Sequence, residues 1–255
     1  MRKPEGKMGE ILKTKNLTKH FGGLAAVQDV TFSIQEGDLQ SIIGPNGAGK
    51  STFFKLITGE LKPTRGQIIF LDKDITHLAQ TAISHLGIAV AYQITNIFPM
   101  LTVFENVRVA AQSRKTTFNF WSKSISHGEF IEQTLHLLEQ IGLLDLKDEI
   151  AANLSHGHQK RLEIGIALAT KPKLVLLDEP TAGLSPIETR QTIDLIKKIS
   201  QQVTIILVEH KMKVVMEVSD KITVLHYGKF LAQGTPDEIR NNEEVRRVYL
   251  GGVKI

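Results

Sequence analysis

The chain has 255 residues, 31 Lys+Arg against 27 Asp+Glu for a formal net charge of +4, 42% hydrophobic and 23% charged residues, and no cysteine. That composition buries a real core and excludes a disordered chain, the length suits one large domain or a domain with a sizeable subdomain, and the missing cysteines exclude disulfides and thiolate chemistry. Apolar runs such as Ile205–Val208 fall far short of the ~20 residues of a membrane span, and the small positive charge is only a mild bias towards anionic partners.

In chain order, Met1–Glu10 has a basic start but no apolar stretch after it, so it does not read as a signal peptide. Residues 11–43 are strand-rich: Val30, Phe32 and Ile34 alternate with polar partners, and Leu39–Ile43 is a short strand running into a glycine-rich turn. Gly66–Leu71 and Ile88–Tyr92 read as further strands. From about Leu101 to Thr170 the texture turns helical, with Ile131, Leu135, Leu138 and later Leu162, Ile166, Ala169 at helical spacing. Lys173–Leu177 and Val203–Val208 are apolar runs of strand length, as in buried parallel strands. Between them Ser185-Pro186-Ile187-Glu188 predicts a helix start with a capping box, a device repeated at Thr235–Glu238. Ile222–Leu225 and Phe230–Ala232 read as a hairpin around His226-Tyr227-Gly228. There is no repeat or Pro/Ser-rich linker, and the pattern is an α/β core interrupted by a mostly helical insertion.

Two motifs carry chemistry. Gly44-Pro45-Asn46-Gly47-Ala48-Gly49-Lys50-Ser51, between a strand and a helix beginning at Thr52, is G-x-x-x-x-G-K-[ST] in the context that motif requires. Its glycines let backbone N–H groups turn inward around phosphate oxygens, with the helix end adding positive potential. Lys50 would reach the β- and γ-phosphates and the Ser51 hydroxyl would ligate Mg²⁺. The second motif, Lys173–Glu179, is an apolar strand ending in two carboxylates. Asp178 would hold Mg²⁺ through water, and Glu179 would orient or deprotonate the attacking water. Far more chain than one strand and helix separates the two motifs, so a domain-sized insertion lies between the halves of the site.

Between them stands Leu154-Ser155-His156-Gly157-His158-Gln159-Lys160-Arg161, opening the Leu162–Ala169 helix. With this string the chain, over about residues 10–250, resembles the ATP-binding cassette (ABC) nucleotide-binding subunits, whose LSGGQ signature it matches except for His156 and His158. His156 and His158 could also be read as a metal pair, but no third ligand is evident. The resemblance implies a P-loop NTPase (RecA-like) core with an antiparallel β subdomain and an inserted α-helical subdomain. It places one nucleotide-binding domain over 1–255, with the core at about 10–97 and 171–255 and the helical subdomain at about 98–170.

By the same resemblance, Gln93 is the Q-loop residue that ligates Mg²⁺ and links core to helical subdomain, and His210, at a strand end, is the switch histidine on the γ-phosphate. Phe21 stacks on adenine, although an ordinary core or surface Phe fits the position almost as well; Val27 lines the same pocket. The phosphate loop extends through Thr52. Ser155, Gly157 and His158 act on ATP held by a second cassette, so one chain carries half of two sites. Ser185, where the family often has Asp in its D-loop, reads first as a helix cap.

The family's partners are a second ATPase subunit, identical or paralogous, separate transmembrane permease subunits, and indirectly a substrate-binding protein, with the chain peripheral on the cytoplasmic face of the cell membrane and no nucleic acid expected. Phe98-Pro99-Met100-Leu101 falls where such cassettes receive a permease helix, or is ordinary subdomain core. Phe21-Gly22-Gly23, Glu105-Asn106, Leu162-Glu163-Ile164, Thr181–Leu184, Val208-Glu209-His210, Val248–Gly251 and an insertion at Gln112–Gly128 resemble the branched-chain amino-acid uptake cassettes. Urea or short-amide uptake and lipopolysaccharide-export cassettes share some of these strings. A soluble ABC ATPase acting on nucleic acid or ribosomes is the reading from another class, but the chain lacks the tandem cassettes or long coiled-coil insertion usual there. Ser113–Lys123 mixes basic and aromatic residues without the length for a nucleic-acid strip or a membrane anchor, and reads as a surface loop of the subgroup.

Overall fold

The structure, a computed structural model, describes residues 9–93, 95–113 and 125–248. In chain order its elements are β1 (Glu10–Phe21), β2 (Leu24–Gln35), β3 (Leu39–Ile43), α1 (Lys50–Ile57), β4 (Arg65–Phe70), β5 (Lys73–Asp74), α2 (Gln80–Leu86), β6 (Ile88–Ala91), α3 (Val103–Gln112) and α4 (Ile125–Gln140). Two 3-10 turns, Leu144–Leu146 and Ala151–Asn153, lead into α5 (His156–Ala169), β7 (Leu174–Asp178), α6 (Pro186–Ile199), β8 (Thr204–Val208), α7 (Met212–Val218), β9 (Lys221–His226), β10 (Lys229–Gly234), α8 (Pro236–Asn241) and α9 (Glu243–Val248). They form two compact units, one from the residues up to 84 together with those from 200 onward, the other from residues 85–199.

The first unit holds an antiparallel sheet ordered β2-β1-β4-β5. In β2 the alternation expected from sequence is present: Val30, Phe32 and Ile34 are buried and the residues between them are not. Beside this sheet, β3 runs parallel to both β8 and β9, and β10 pairs antiparallel with β9 as the predicted hairpin. Every residue of β3 and β8 is buried; β8 therefore reads as an unbroken apolar run, while in β3 the buried Gln40 and Ser41 side chains hydrogen-bond Thr223 and Ser219. Ile43, Val224, Ile239 and Val245 close one core over this end of the sheet. Truncating a fully buried β8 side chain removes its transfer energy and leaves a cavity. Ile206→Ala is therefore expected to cost about 2–5 kcal/mol, read as a lower denaturant midpoint.

In the second unit β6 pairs parallel with β7, and α3, α4 and α5 pack on one another, with α5 also against β6 and α6. The close approach of α4's end to α5 passes over Gly165, where an added Cβ would lie 2.5 Å from Ile141 Cδ1. This unit begins and ends outside the 98–170 bounds read for a helical subdomain, because the strand pair β6–β7 and helix α6 pack with α5. Both helix starts predicted at Ser185 and Thr235 are found with their capping residues Glu188 and Glu238, and a third box at Thr102 with Glu105 opens α3. The Met1–Met8 start, Arg114–Lys123 of the basic-aromatic segment and Tyr249–Gly251 of the C-terminal string lie outside the described residues. Among the described residues no helix is long and apolar enough to cross a membrane.

Candidate functional site

In the first unit, buried β3 delivers the Gly44–Ser51 loop onto α1. Gly49, in the N-cap position, has φ 95°, and no side chain caps the helix. An added Cβ there would lie 2.3 Å from the Ala26 carbonyl oxygen, and one on Gly44 would lie 2.3 Å from that of Leu225. The loop is thus wedged between β2 and β9 where only glycine fits. Its exposed rim is Asn46, Gly47 and Ser51, while Ala48 is buried. The Lys50 ammonium folds over the loop and donates to the carbonyls of Gly44 at 2.7 Å and Pro45 at 3.0 Å, placing a charge and the first-turn amides around one concavity.

Phe21, at the exposed end of β1, presents its ring to solvent with the Lys19 ammonium 5.3 Å from its centre. Val27, read from sequence as lining the same pocket, is fully buried on β2, so it offers no surface to a base. At the end of β8, Glu209 is completely buried and His210 half exposed. The Glu209 carboxylate accepts from the backbone N–H of His210 at 2.7 Å and of Lys211 at 3.3 Å, with His210 Nδ1 3.5 Å from the same oxygen. Glu209, unassigned by sequence reasoning, therefore sets the loop that carries the histidine.

In the second unit the end of β7 carries Asp178 and Glu179. Glu179 adopts φ 47°, a left-handed conformation that costs a non-glycine residue roughly 1 kcal/mol or more and is concentrated at functional sites. Its Oε2 accepts from Gln93 Nε2 at 3.0 Å, joining two residues that lie far apart in sequence. The signature string opens α5 as expected: Ser155 is its N-cap and accepts from the His158 amide at 3.2 Å. Glu188 stands at the same helix end, taking the Ser155 hydroxyl at 3.4 Å and the Gly157 N–H besides its own cap at Ser185. These hydrogen bonds, those from Ser185 foremost, hold the Glu188 carboxyl below the usual range. Burial, with Arg161 adding repulsion, pushes the His158 pKa down against the attraction of Glu188. Gly183 lies within 3.3 Å of His156 Nε2 once given a Cβ, which places the D-loop turn beside the signature.

The residues read as Mg²⁺ ligands are oxygen donors, Ser51 in the first unit and Gln93 and Asp178 in the second, with a single charge among them. Among the described residues no group of three or more His, Asp or Glu side chains could hold a metal by itself. Oxygen donors of this kind are the chemistry Mg²⁺ takes, with water and phosphate oxygens filling its remaining positions.

A phosphate loop, a strand-end carboxylate pair, a glutamine on the carboxylate and a Ser-capped signature helix together define an ATP-binding cassette. The profile of the ABC transporter family matches residues 27–182, and that of the branched-chain amino acid ATP-binding cassette transporters matches residues 231–254. The chain belongs to the ABC transporter family and is an ATPase of that class. It is 41% identical over 249 residues to the high-affinity branched-chain amino acid transport ATP-binding protein LivG of Escherichia coli K12, spanning 94% of this chain and 98% of that one. It is 40% identical over 250 residues to BraF of Pseudomonas aeruginosa, with the same coverage. The ADP conformation of MJ1267, an ATP-binding cassette of an ABC transporter, superposes with a TM-score of 0.83 at 32% identity, covering 95% of this chain and 99% of that one. The dimeric post-hydrolysis cassette MJ0796 bound to ADP and Pi matches with a TM-score of 0.77 at 28% identity, covering 88% and 98%.

Proposed function

We propose that this chain is the ATP-hydrolysing subunit of an importer for branched-chain amino acids, working as one nucleotide-binding domain whose helical part, about 98–170, receives a permease. The observation that carries the hydrolytic reading is the Gln93 amide at 3.0 Å from Glu179 at the end of β7. The amides of Gly47–Ser51 and the Lys50 ammonium hold the triphosphate, with Thr52 continuing the loop and Phe21 stacking on the adenine. Glu179 takes the proton of the attacking water, and His210, fixed by buried Glu209, donates to the γ-phosphate. Ser51, Gln93 and Asp178 would hold Mg²⁺, which neutralises phosphate charge when bound.

Ser155, Gly157 and His158 present a hydroxyl, helix-end amides and an imidazole to nucleotide bound by a second cassette, identical or paralogous. ATP then stabilises the closed pair by linkage and hydrolysis releases it. The segment at Phe98 and Met100 supports permease docking: the two side chains are 52% and 80% exposed rather than core. Attachment to such membrane subunits makes the chain peripheral on the cytoplasmic face, with a substrate-binding protein acting through the permease.

The test is reconstitution of the chain with its co-purifying membrane subunits in liposomes. A binding protein loaded with leucine, isoleucine or valine is expected to stimulate ATP hydrolysis several-fold. Stimulation by a urea-loaded protein alone, or nuclease-sensitive sedimentation with ribosomes in place of membrane subunits, would overturn the reading.

A further inference from the structure

Lys160 and Glu163 stand one turn apart on α5, 2% and 3% exposed. Charges are buried only when strongly compensated, and both find their compensation on the same short stretch of backbone. Lys160 Nζ donates to the carbonyls of Tyr92, at 2.9 Å, and Gln93. Glu163 Oε1 accepts from the N–H groups of Tyr92 at 3.0 Å and Asn96 at 3.1 Å. The ammonium and the other carboxylate oxygen are 3.7 Å apart. A cation therefore holds the carbonyls and an anion the amides of one loop, on both sides of Gln93. Beyond that clamp the Gln93 side chain meets Glu179.

We propose that Lys160 and Glu163 are positioning residues for Gln93, fixing the backbone around it so that helix α5 sets the approach of the Gln93 amide to Glu179. This rests on the hydrolytic roles proposed above for Gln93 and Glu179. Replacing a buried ion pair with apolar side chains is often neutral for stability. Here, however, apolar side chains would leave two carbonyls and two amides of the loop without these partners, so the pair's specific contribution is to order the backbone around Gln93. The pair makes α5 a mechanical link: its N-terminus carries Ser155, and its second and third turns carry the clamp on the loop that reaches the hydrolytic carboxylate.

The experiment measures ATPase kcat, KM, nucleotide affinity and melting temperature for the purified full chain. Removing one charge leaves its partner buried and uncompensated, so the informative variants are the double Lys160→Met with Glu163→Gln, and Lys160→Arg. The double variant is expected to lose about 10- to 100-fold in kcat, as misplacement of a group at the chemistry does, with ATP affinity unchanged because the phosphate loop is intact. Lys160→Arg, which keeps charge and donors, is expected to restore most of the rate. In a Gln93→Ala background the double substitution is expected to change kcat by no more than about twofold, since both act through one contact. A merely structural pair would lower the rate again in that background, and this would overturn the proposal. So would a double variant at wild-type kcat while Gln93→Ala is slow. Gln93→Ala at wild-type kcat would instead overturn the role of Gln93 itself, and the proposal with it.

Discussion

Glu179→Gln is expected to cut kcat by about 10²- to 10⁴-fold, the range a general base contributes, while leaving ATP affinity within a few-fold. The substitution keeps the shape of the side chain and an oxygen that can still accept from Gln93, at present 3.0 Å away, and removes only its basicity. Glutamine tolerates the φ of 47° at this position about as well as glutamate, so the end of β7 keeps its conformation. The Gly44–Ser51 loop is in the other compact unit, and nothing in it changes. ATP that binds but is not cleaved should accumulate the closed pair of cassettes. An ATP-dependent shift to dimer in size-exclusion chromatography, together with lost phosphate release, checks the assignment; a wild-type rate would sink it.

Lys50→Ala is expected to weaken ATP binding by about 10- to 150-fold, the equivalent of losing a charge-assisted hydrogen bond worth roughly 1.5–3 kcal/mol. The ammonium lies over the Gly44 and Pro45 carbonyls, within the curl of amides that the loop offers to an anion. Its removal leaves the glycine geometry untouched, because Gly44 and Gly49 are constrained by Leu225 and Ala26 and not by the lysine. The melting temperature without nucleotide should therefore stay close to wild type, whereas stabilisation by added ATP should largely disappear. Titration calorimetry, paired with melting curves at several ATP concentrations, separates the two effects.

What could be read in advance follows from how directly each residue's surroundings are written in its neighbours along the chain. The phosphate loop is a local object, with a buried strand, positive-φ glycines and a helix all within contiguous residues. β7 and β8 are apolar runs with buried faces on both sides, and the boxes at Ser185 and Thr235 are short capping patterns. The two-residue β5 and the seven-residue α2 and α7 were not foreseen, since such short pieces carry too few turns for a periodicity. Val27, read as a pocket wall, is buried out of phase with Val30, Phe32 and Ile34, because the strand register shifts between Val27 and Val30 where Asp29 adopts φ 52°, an irregularity that alternation does not foretell. Glu209, Lys160 and Glu163 were missed for a different reason. A charged residue in a polar or amphipathic string ordinarily points to solvent; the burial of Lys160 and Glu163 depends on backbone groups that the fold brings from elsewhere, such as Tyr92 and Asn96, whereas Glu209 turns back onto the amides of His210 and Lys211. A glutamate within an apolar run, as at Leu162-Glu163-Ile164, is the one signal that could have found the pair.

The exposed Phe98 and Met100 stand on a loop closed by a buried amide. Asn106, wholly inside α3, accepts from the Phe98 N–H at 2.8 Å and donates to the carbonyls of Phe98 at 3.0 Å and Thr102 at 2.9 Å. Two apolar side chains are thereby held outwards by a backbone already locked when the chain folds. Surfaces of this kind avoid most of the entropy loss that a floppy loop suffers when it is immobilised. Whatever binds there meets a finished shape, and a displacement of that partner is passed to α3 as a push on a stiff body instead of being absorbed by slack in the loop.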